Sequence, residues 1–158
     1  MKYVIASASD RVVAACRDFL GDGDGLTFRS GSVPEAGWDC DIAVLSFPLA
    51  HERYGGKPQV GRAQVLANER SDGAPKIILA TPPLALTAAS SPASDSDIER
   101  HVFGVLNSCV AAYVNAYGRG EDVKILIHLE AAALDRPDLL PPLRGIADFL
   151  ARERTGEA

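Results

Sequence analysis

Asp41-Ile42-Ala43-Val44-Leu45-Ser46 places a short apolar run between polar ends. A run of this kind, with no alternation of polar residues, suits a strand buried on both faces of a parallel sheet. Similar runs lie on either side. Tyr3–Ala8 reads as a strand, and so do Leu26–Ser30, Gln64–Ala67, Lys76–Ala80 and Lys124–Leu129. Helical patterns separate them. Val12, Cys16, Phe19 and Leu20 fall on one helical face after a Ser9 or Asp10 cap. Ile98, Val102, Val105, Leu106, Cys109, Val110, Tyr113 and Tyr117 make the longest apolar stripe, ended by Gly118 and Gly120. A last helix opens at Pro141 or Pro142 and turns Leu143, Ile146, Ala147 and Leu150 inward. Strands alternating with helices predict an α/β fold with both faces of the sheet covered.

The segments between these elements read as loops: Gly31–Trp38, Phe47–Val60, and the Pro/Ser/Ala-rich Thr81–Ser96, which is the candidate mobile loop. The 158 residues are expected to form one domain over 1–152, with a flexible tail over 153–158. Hydrophobic residues at 47% and charged residues at 23% exclude a disordered chain. Sixteen Lys and Arg against 21 Asp and Glu give a net charge of −5, without a basic cluster. No nucleic-acid partner is therefore expected. No apolar stretch approaches the ~20 residues that span a bilayer, and Met1–Ala6 reads as a strand rather than a leader. The scattered Cys16, Cys40 and Cys109 suit a reduced, cytoplasmic protein, with Cys16 and Cys109 as small core residues. No membrane partner, cofactor or metal is expected.

In parallel sheets, ligands favour the crevice beyond the carboxyl ends of the strands. That rule directs attention to Ser46–Val60, Thr81–Ser96 and Leu129–Asp138. Isolated motifs add little. Gly21-Asp22-Gly23-Asp24-Gly25 follows a helix and precedes a strand, the reverse of a phosphate loop, and reads as a turn. Gly55-Gly56-Lys57-Pro58 lacks the Ser or Thr of a P-loop; it is either a turn or a ligand-side glycine pair. His51, Glu52 and Arg53 are a candidate acid/base cluster with no nucleophile set against it, and a solvated loop is the plainer reading. His101 reads as a surface or packing residue. His128 and Glu130, at i and i+2 on a strand end, are a candidate metal pair without a third ligand. No serine has the context of a hydrolase nucleophile.

The order of elements resembles a macro domain, the ADP-ribose-binding α/β/α family. Strand Leu26–Ser30 with Gly31-Ser32-Val33 is similar to the family's strand ending in Gly-Asp-Ile. Asp41–Pro48, then Leu49–Tyr54 and Gly55-Gly56, matches its Asp-Ala-Ile-Val strand and Gly-Gly loop. Pro58–Leu66 is similar to its Pro-Val-Gly-x-Ala segment, and Pro75–Leu79 to its Pro-x-Ile-Ile strand. The long helix at Arg100–Leu106, the strand Ile125–Leu129 and the helix from Pro141 continue the match. The resemblance implies a three-layer α/β/α fold with a mixed, mostly parallel central sheet. It implies a pocket for ADP-ribose or a nucleotide-like ligand, formed by Gly31, Ser32, Val33, Phe47, Pro48, Tyr54, Gly55, Gly56, Thr81, Pro82, Leu129 and Glu130.

The departures from the family fall on that pocket. Ser32 stands where the family has the Asp that receives adenine. Pro48 replaces the Asn near the distal ribose. Glu130-Ala131-Ala132-Ala133-Leu134 replaces the glycine loop that cradles the diphosphate, and a helix after the Gly-Gly loop is missing. The expectation is a ligand-binding protein with an altered pocket and no catalytic set. The alternatives are a pocket-dead subunit that binds a protein partner or a second copy through Leu84 and Leu86, and an ADP-ribosyl hydrolase using His51 or Glu52.

Overall fold

A computed structural model describes residues 1–83 and 94–155. In chain order the elements are β1 (Lys2–Ser7), α1 (Asp10–Leu20), β2 (Leu26–Ser30), α2 (Val33–Ala36), β3 (Ile42–Leu45) and α3 (Phe47–Tyr54). Then follow β4 (Gln64–Ala67), β5 (Ile77–Ala80), α4 (Asp95–Tyr117), β6 (Lys124–His128) and α5 (Leu140–Arg154). The strands form one six-stranded sheet in the order β2-β1-β6-β3-β5-β4. All its pairings are parallel except that of the edge strand β4 with β5. The fold is α/β, with three layers.

Alternation along the strands builds two cores. Tyr3, Ile5, Ile42, Val44, Leu79, Ile125 and Ile127 face α1, α4 and α5. Val4, Ala6, Ala43, Leu45, Ile78, Ala80 and Leu126 face the short helices α2 and α3, which contribute Ala36 and Ala50. The first core carries most of the bulk: Phe149, Leu106 and Ile146 are fully buried there. Full burial of side chains of this size contributes ~1.5–3 kcal/mol each.

Two of the three segments that read as loops in the sequence, Gly31–Trp38 and Phe47–Val60, contain a short helix. Over 33–36, Ser32 and Glu35 form a reciprocal capping box, and Pro34 fits the first turn. Over 47–54, Ser46 is the N-cap, Pro48 fits the first turn, and Gly55 at φ 86° stops the helix. Each is too short to display a repeated apolar stripe. The long helix begins at Asp95, ahead of its stripe, where Ser94 and Asp97 form another capping box. On α1 the buried residues are Val13 and Cys16, while Phe19 is 41% exposed. Tyr117 is also exposed and stacks on Tyr113. The thiols of Cys16 and Cys109 are buried and unpaired, as expected of small core residues. Helix α5 runs past residue 152. Glu153 holds it there by accepting from the Tyr3 hydroxyl at 2.8 Å and pairing with Arg119. The expected partner surface at Leu84 and Leu86 lies outside the described residues. Among the described residues, no helix is long and apolar enough to cross a membrane.

An ion-pair cluster ties the entries of β3 and β6 to the end of β2 on the face covered by α2 and α3. Asp39, just before β3, accepts both arms of Arg29 and the ammonium of Lys124. Arg29 also donates to the Ala36 carbonyl and lies under the exposed Trp38 ring. The Arg29 hydrogen bonds, then Lys124, hold the Asp39 carboxyl well below the usual carboxylate range. A carboxylate depressed in the folded state stabilises the fold above its ordinary value near 4. That contribution is lost as pH falls below ~4, toward the folded-state value. Asp39→Asn is expected to cost roughly 1.5–3 kcal/mol at pH 7, the range for hydrogen bonds to charged groups. The difference from the parent should shrink below ~pH 4. Urea unfolding at pH 7 and pH 3 checks this; an equal difference at both pH values would refute the assignment.

Candidate functional site

Strands β1, β6, β3 and β5 run the same way, so their carboxyl ends open on one rim of the sheet. On that rim, a cavity of about 280 Å³ lies beyond β3, β5 and β6. This is near the lower end of the ~300–1,000 Å³ typical of small-molecule pockets. Ser46, Phe47 and Pro48 form one wall, where β3 turns into α3. Thr81 and Pro82 extend from β5. Ala132, Ala133 and Leu134 form the wall beyond β6, and His101 and Val105 of α4 close the side, with Arg136 beside them.

Thr81 fixes the geometry of the first wall. It is buried, its N–H donates to Leu45 O, and its Oγ1 accepts the Phe47 N–H at 3.0 Å. The Ser46 N–H donates to Ala131 O at 2.8 Å, which joins α3 to the loop after β6. Ser46 caps α3 without a bond from its side chain, so its hydroxyl borders the cavity uncommitted to the helix. Arg136 is half-buried and anchored on one side. Its Nη1 donates to Asp135 O at 2.7 Å and to Ala133 O at 3.4 Å. Among the described residues it forms no salt bridge to a carboxylate. Burial, then the Arg136 charge, push the His101 imidazole below its ordinary value, which favours an uncharged ring at neutral pH.

The alanine loop is closed on itself. The amides of Ala132, Ala133 and Leu134 donate to the carbonyls of His128, Glu130 and Leu129, and the Ala131 N–H donates to His128 Nδ1. Ala133 adopts φ 58°, a left-handed conformation that an alanine holds only at a cost. With these donors turned inward, the loop offers no amide nest to a diphosphate.

The remaining sequence candidates divide by location. Phe47, Pro48, Thr81 and Pro82 meet in the cavity. Leu129 is fully buried in the core beneath it. Glu130 turns away toward β1, where its carboxylate accepts the Ser7 hydroxyl at 2.8 Å and the Ala8 N–H at 2.7 Å. Gly31, Ser32 and Val33 lie beyond β2. Gly31 O accepts from His128 Nε2 at 2.8 Å, and the Ser32 hydroxyl is used in its capping box. Because Ala131 donates to Nδ1, the His128 proton sits on Nε2, and the ring joins two loops. His128 and Glu130 therefore point to different partners and form no metal pair. Among the described residues, no group of three or more His, Cys, Asp or Glu is arranged to hold a metal.

Tyr54, Gly55 and Gly56 lie at the far end of α3. The Tyr54 hydroxyl donates to Asp72 in the turn from β4 to β5, at the opposite end of the sheet from the cavity. His51 Nδ1 is 2.9 Å from Gly55 O and closes the last turn of α3. The sequence alone singles out neither Ser46 nor Arg136, and His101 reads there as a surface or packing residue. The strand-end rule had marked the segments holding Ser46 and Arg136; no motif distinguished these residues within them. A larger recess of about 450 Å³ lies on the outer side of α4 and α5, but its Arg119 and Glu153 are paired with each other.

No protein-family model and no curated protein matches this chain.

Proposed function

We propose that this chain is a diverged macro-domain-like protein that binds a small nucleotide-like or ADP-ribose-related ligand in the cavity beyond β3, β5 and β6. One observation carries the reading: a half-buried arginine, without a carboxylate partner among the described residues, faces a cavity at the strand ends. Such rims are where parallel sheets bind ligands, and a guanidinium favours phosphate or carboxylate. Phe47 and Pro48 supply an apolar wall for a base or sugar. Turnover has no comparable support, because His51 and Glu52 are not among the residues lining the cavity.

Thermal denaturation with AMP, ribose 5-phosphate, ADP-ribose and adenosine tests the proposal. At a hundredfold excess over Kd, binding stabilises by ~2.7 kcal/mol. For a chain of this size that is a rise of roughly 5–10 °C in Tm. No shift with any of them at 10 mM would refute it.

A further inference from the structure

We infer that the cavity selects a ligand with one compact anionic group, a phosphomonoester or carboxylate, and disfavours a diphosphate. The inference rests on the small-ligand reading above and narrows it.

The guanidinium of Arg136 is held from one side only. Nη1 is occupied by the Ala133 and Asp135 carbonyls, while Nη2 and Nε make no hydrogen bond among the described residues. That leaves one edge of the fork free, and a single phosphate or carboxylate matches it with two parallel hydrogen bonds. The nearby imidazole of His101 is a hydrogen-bonding group rather than a second full charge, because burial and Arg136 favour its uncharged form. Ser46 adds an uncharged donor at the opposite wall. One permanent cation and two uncharged groups balance about one compact anion.

The surroundings oppose a longer anion. The inward-turned amides of the alanine loop cannot receive a second phosphate. The α3 N-terminus is largely committed: Ser46 and Phe47 have donated their N–H groups and Pro48 has none, which leaves the Leu49 N–H as the one first-turn donor without a hydrogen bond among the described residues. A ligand reaching across β6 toward β1 would meet Glu130 two strands away, ~10 Å at the usual strand spacing. Its carboxylate already accepts the Ala8 N–H there, so a second anion finds a like charge in place of a donor.

Calorimetric titration of adenosine, AMP, ribose 5-phosphate and ADP into the parent protein, Arg136→Lys and Arg136→Gln tests this, with melting curves to establish folding. AMP and ribose 5-phosphate are expected to bind at least tenfold more tightly than ADP. AMP should exceed adenosine by at least tenfold. Arg136→Gln should abolish the advantage of AMP over adenosine, and Arg136→Lys should retain part of it. ADP binding as tightly as AMP, or AMP affinity unchanged in Arg136→Gln, would overturn the inference. If adenosine binds as well as AMP, the inference fails while the small-ligand reading stands. If none of the probes binds, both fail. The comparison of ligands on the parent protein decides the matter even if a variant does not fold.

Discussion

Gly145→Ala is expected to lower Tm by about 6–12 °C. Gly145 lies inside α5, where an alanine ordinarily gains ~1 kcal/mol over glycine. Packing reverses the sign. A Cβ on Gly145 would fall 2.6 Å from the Glu99 carbonyl oxygen and 2.9 Å from Val102 Cβ, so the backbone of α4 must move. Overpacking of this kind costs ~1–3 kcal/mol and occasionally more. With a backbone atom as the obstacle, we set the net cost at about 3 kcal/mol, converted to Tm at ~2–4 °C per kcal/mol. Gly104→Ala is the control. Gly104 is also mid-helix, in α4, but its Cβ would meet nothing within 4 Å. That variant should gain ~0.5–1 kcal/mol from backbone propensity alone. Circular-dichroism melts of the two variants check the pair. Equal behaviour would mean that α4 and α5 do not approach as closely as these distances require.

The contrast between those glycines also shows what sequence could and could not reveal. Strands were readable because central strands of a parallel sheet are apolar throughout; Ile42–Leu45 and Ile125–Ile127 are buried on both faces. The long helix was readable because Val102, Val105, Leu106, Cys109 and Val110 repeat at helical spacing. α2 and α3 were not, because four and eight residues are too few to establish a period. Their capping signals were present all the same: Ser32 three residues before Glu35, and Pro48 just after the Ser46 cap.

The site was partly legible for the same physical reason. The carboxyl-end rule marks segments, and Phe47, Pro48, Thr81 and Pro82 were found within them. It does not say where side chains point. Glu130 and Arg136 occupy one loop, yet the carboxylate turns to β1 while the guanidinium borders the cavity. Tyr54 and the Gly55-Gly56 pair follow the same strand end, but an eight-residue helix carries them about 12 Å away along its axis. Eight residues show no helical period in the sequence, so that displacement is not visible there.

Glu130→Gln is expected to raise the affinity for ADP by roughly tenfold while changing that for AMP by much less. One unit of charge is removed and one acceptor is kept. The substitution removes a negative charge from the β1 end of the rim, and it keeps an amide oxygen able to accept from Ser7 or Ala8. At ~10 Å and an effective dielectric of ~20, one unit charge interacts with another by ~1.7 kcal/mol, a little over tenfold in binding. A second phosphate reaching across β6 would come nearer to Glu130 than a phosphate held within the cavity, and the interaction falls with distance and is screened by salt, so AMP should respond less than ADP. Stability should move the other way. Ser7 is fully buried, and its hydroxyl loses a charged acceptor. Glu130→Ala removes that acceptor altogether and should cost about 1–3 kcal/mol, the range for leaving a buried donor unsatisfied. Glu130→Gln should cost less than Glu130→Ala, since an acceptor survives. Calorimetry with ADP and AMP, beside urea unfolding of both variants, separates the effects. A rise in ADP affinity with little change for AMP would place the second phosphate near Glu130 and make this carboxylate the group that excludes it. Unchanged ADP affinity would mean that any diphosphate lies elsewhere on the rim and that Glu130 serves only to hold β1 and the loop after β6 together.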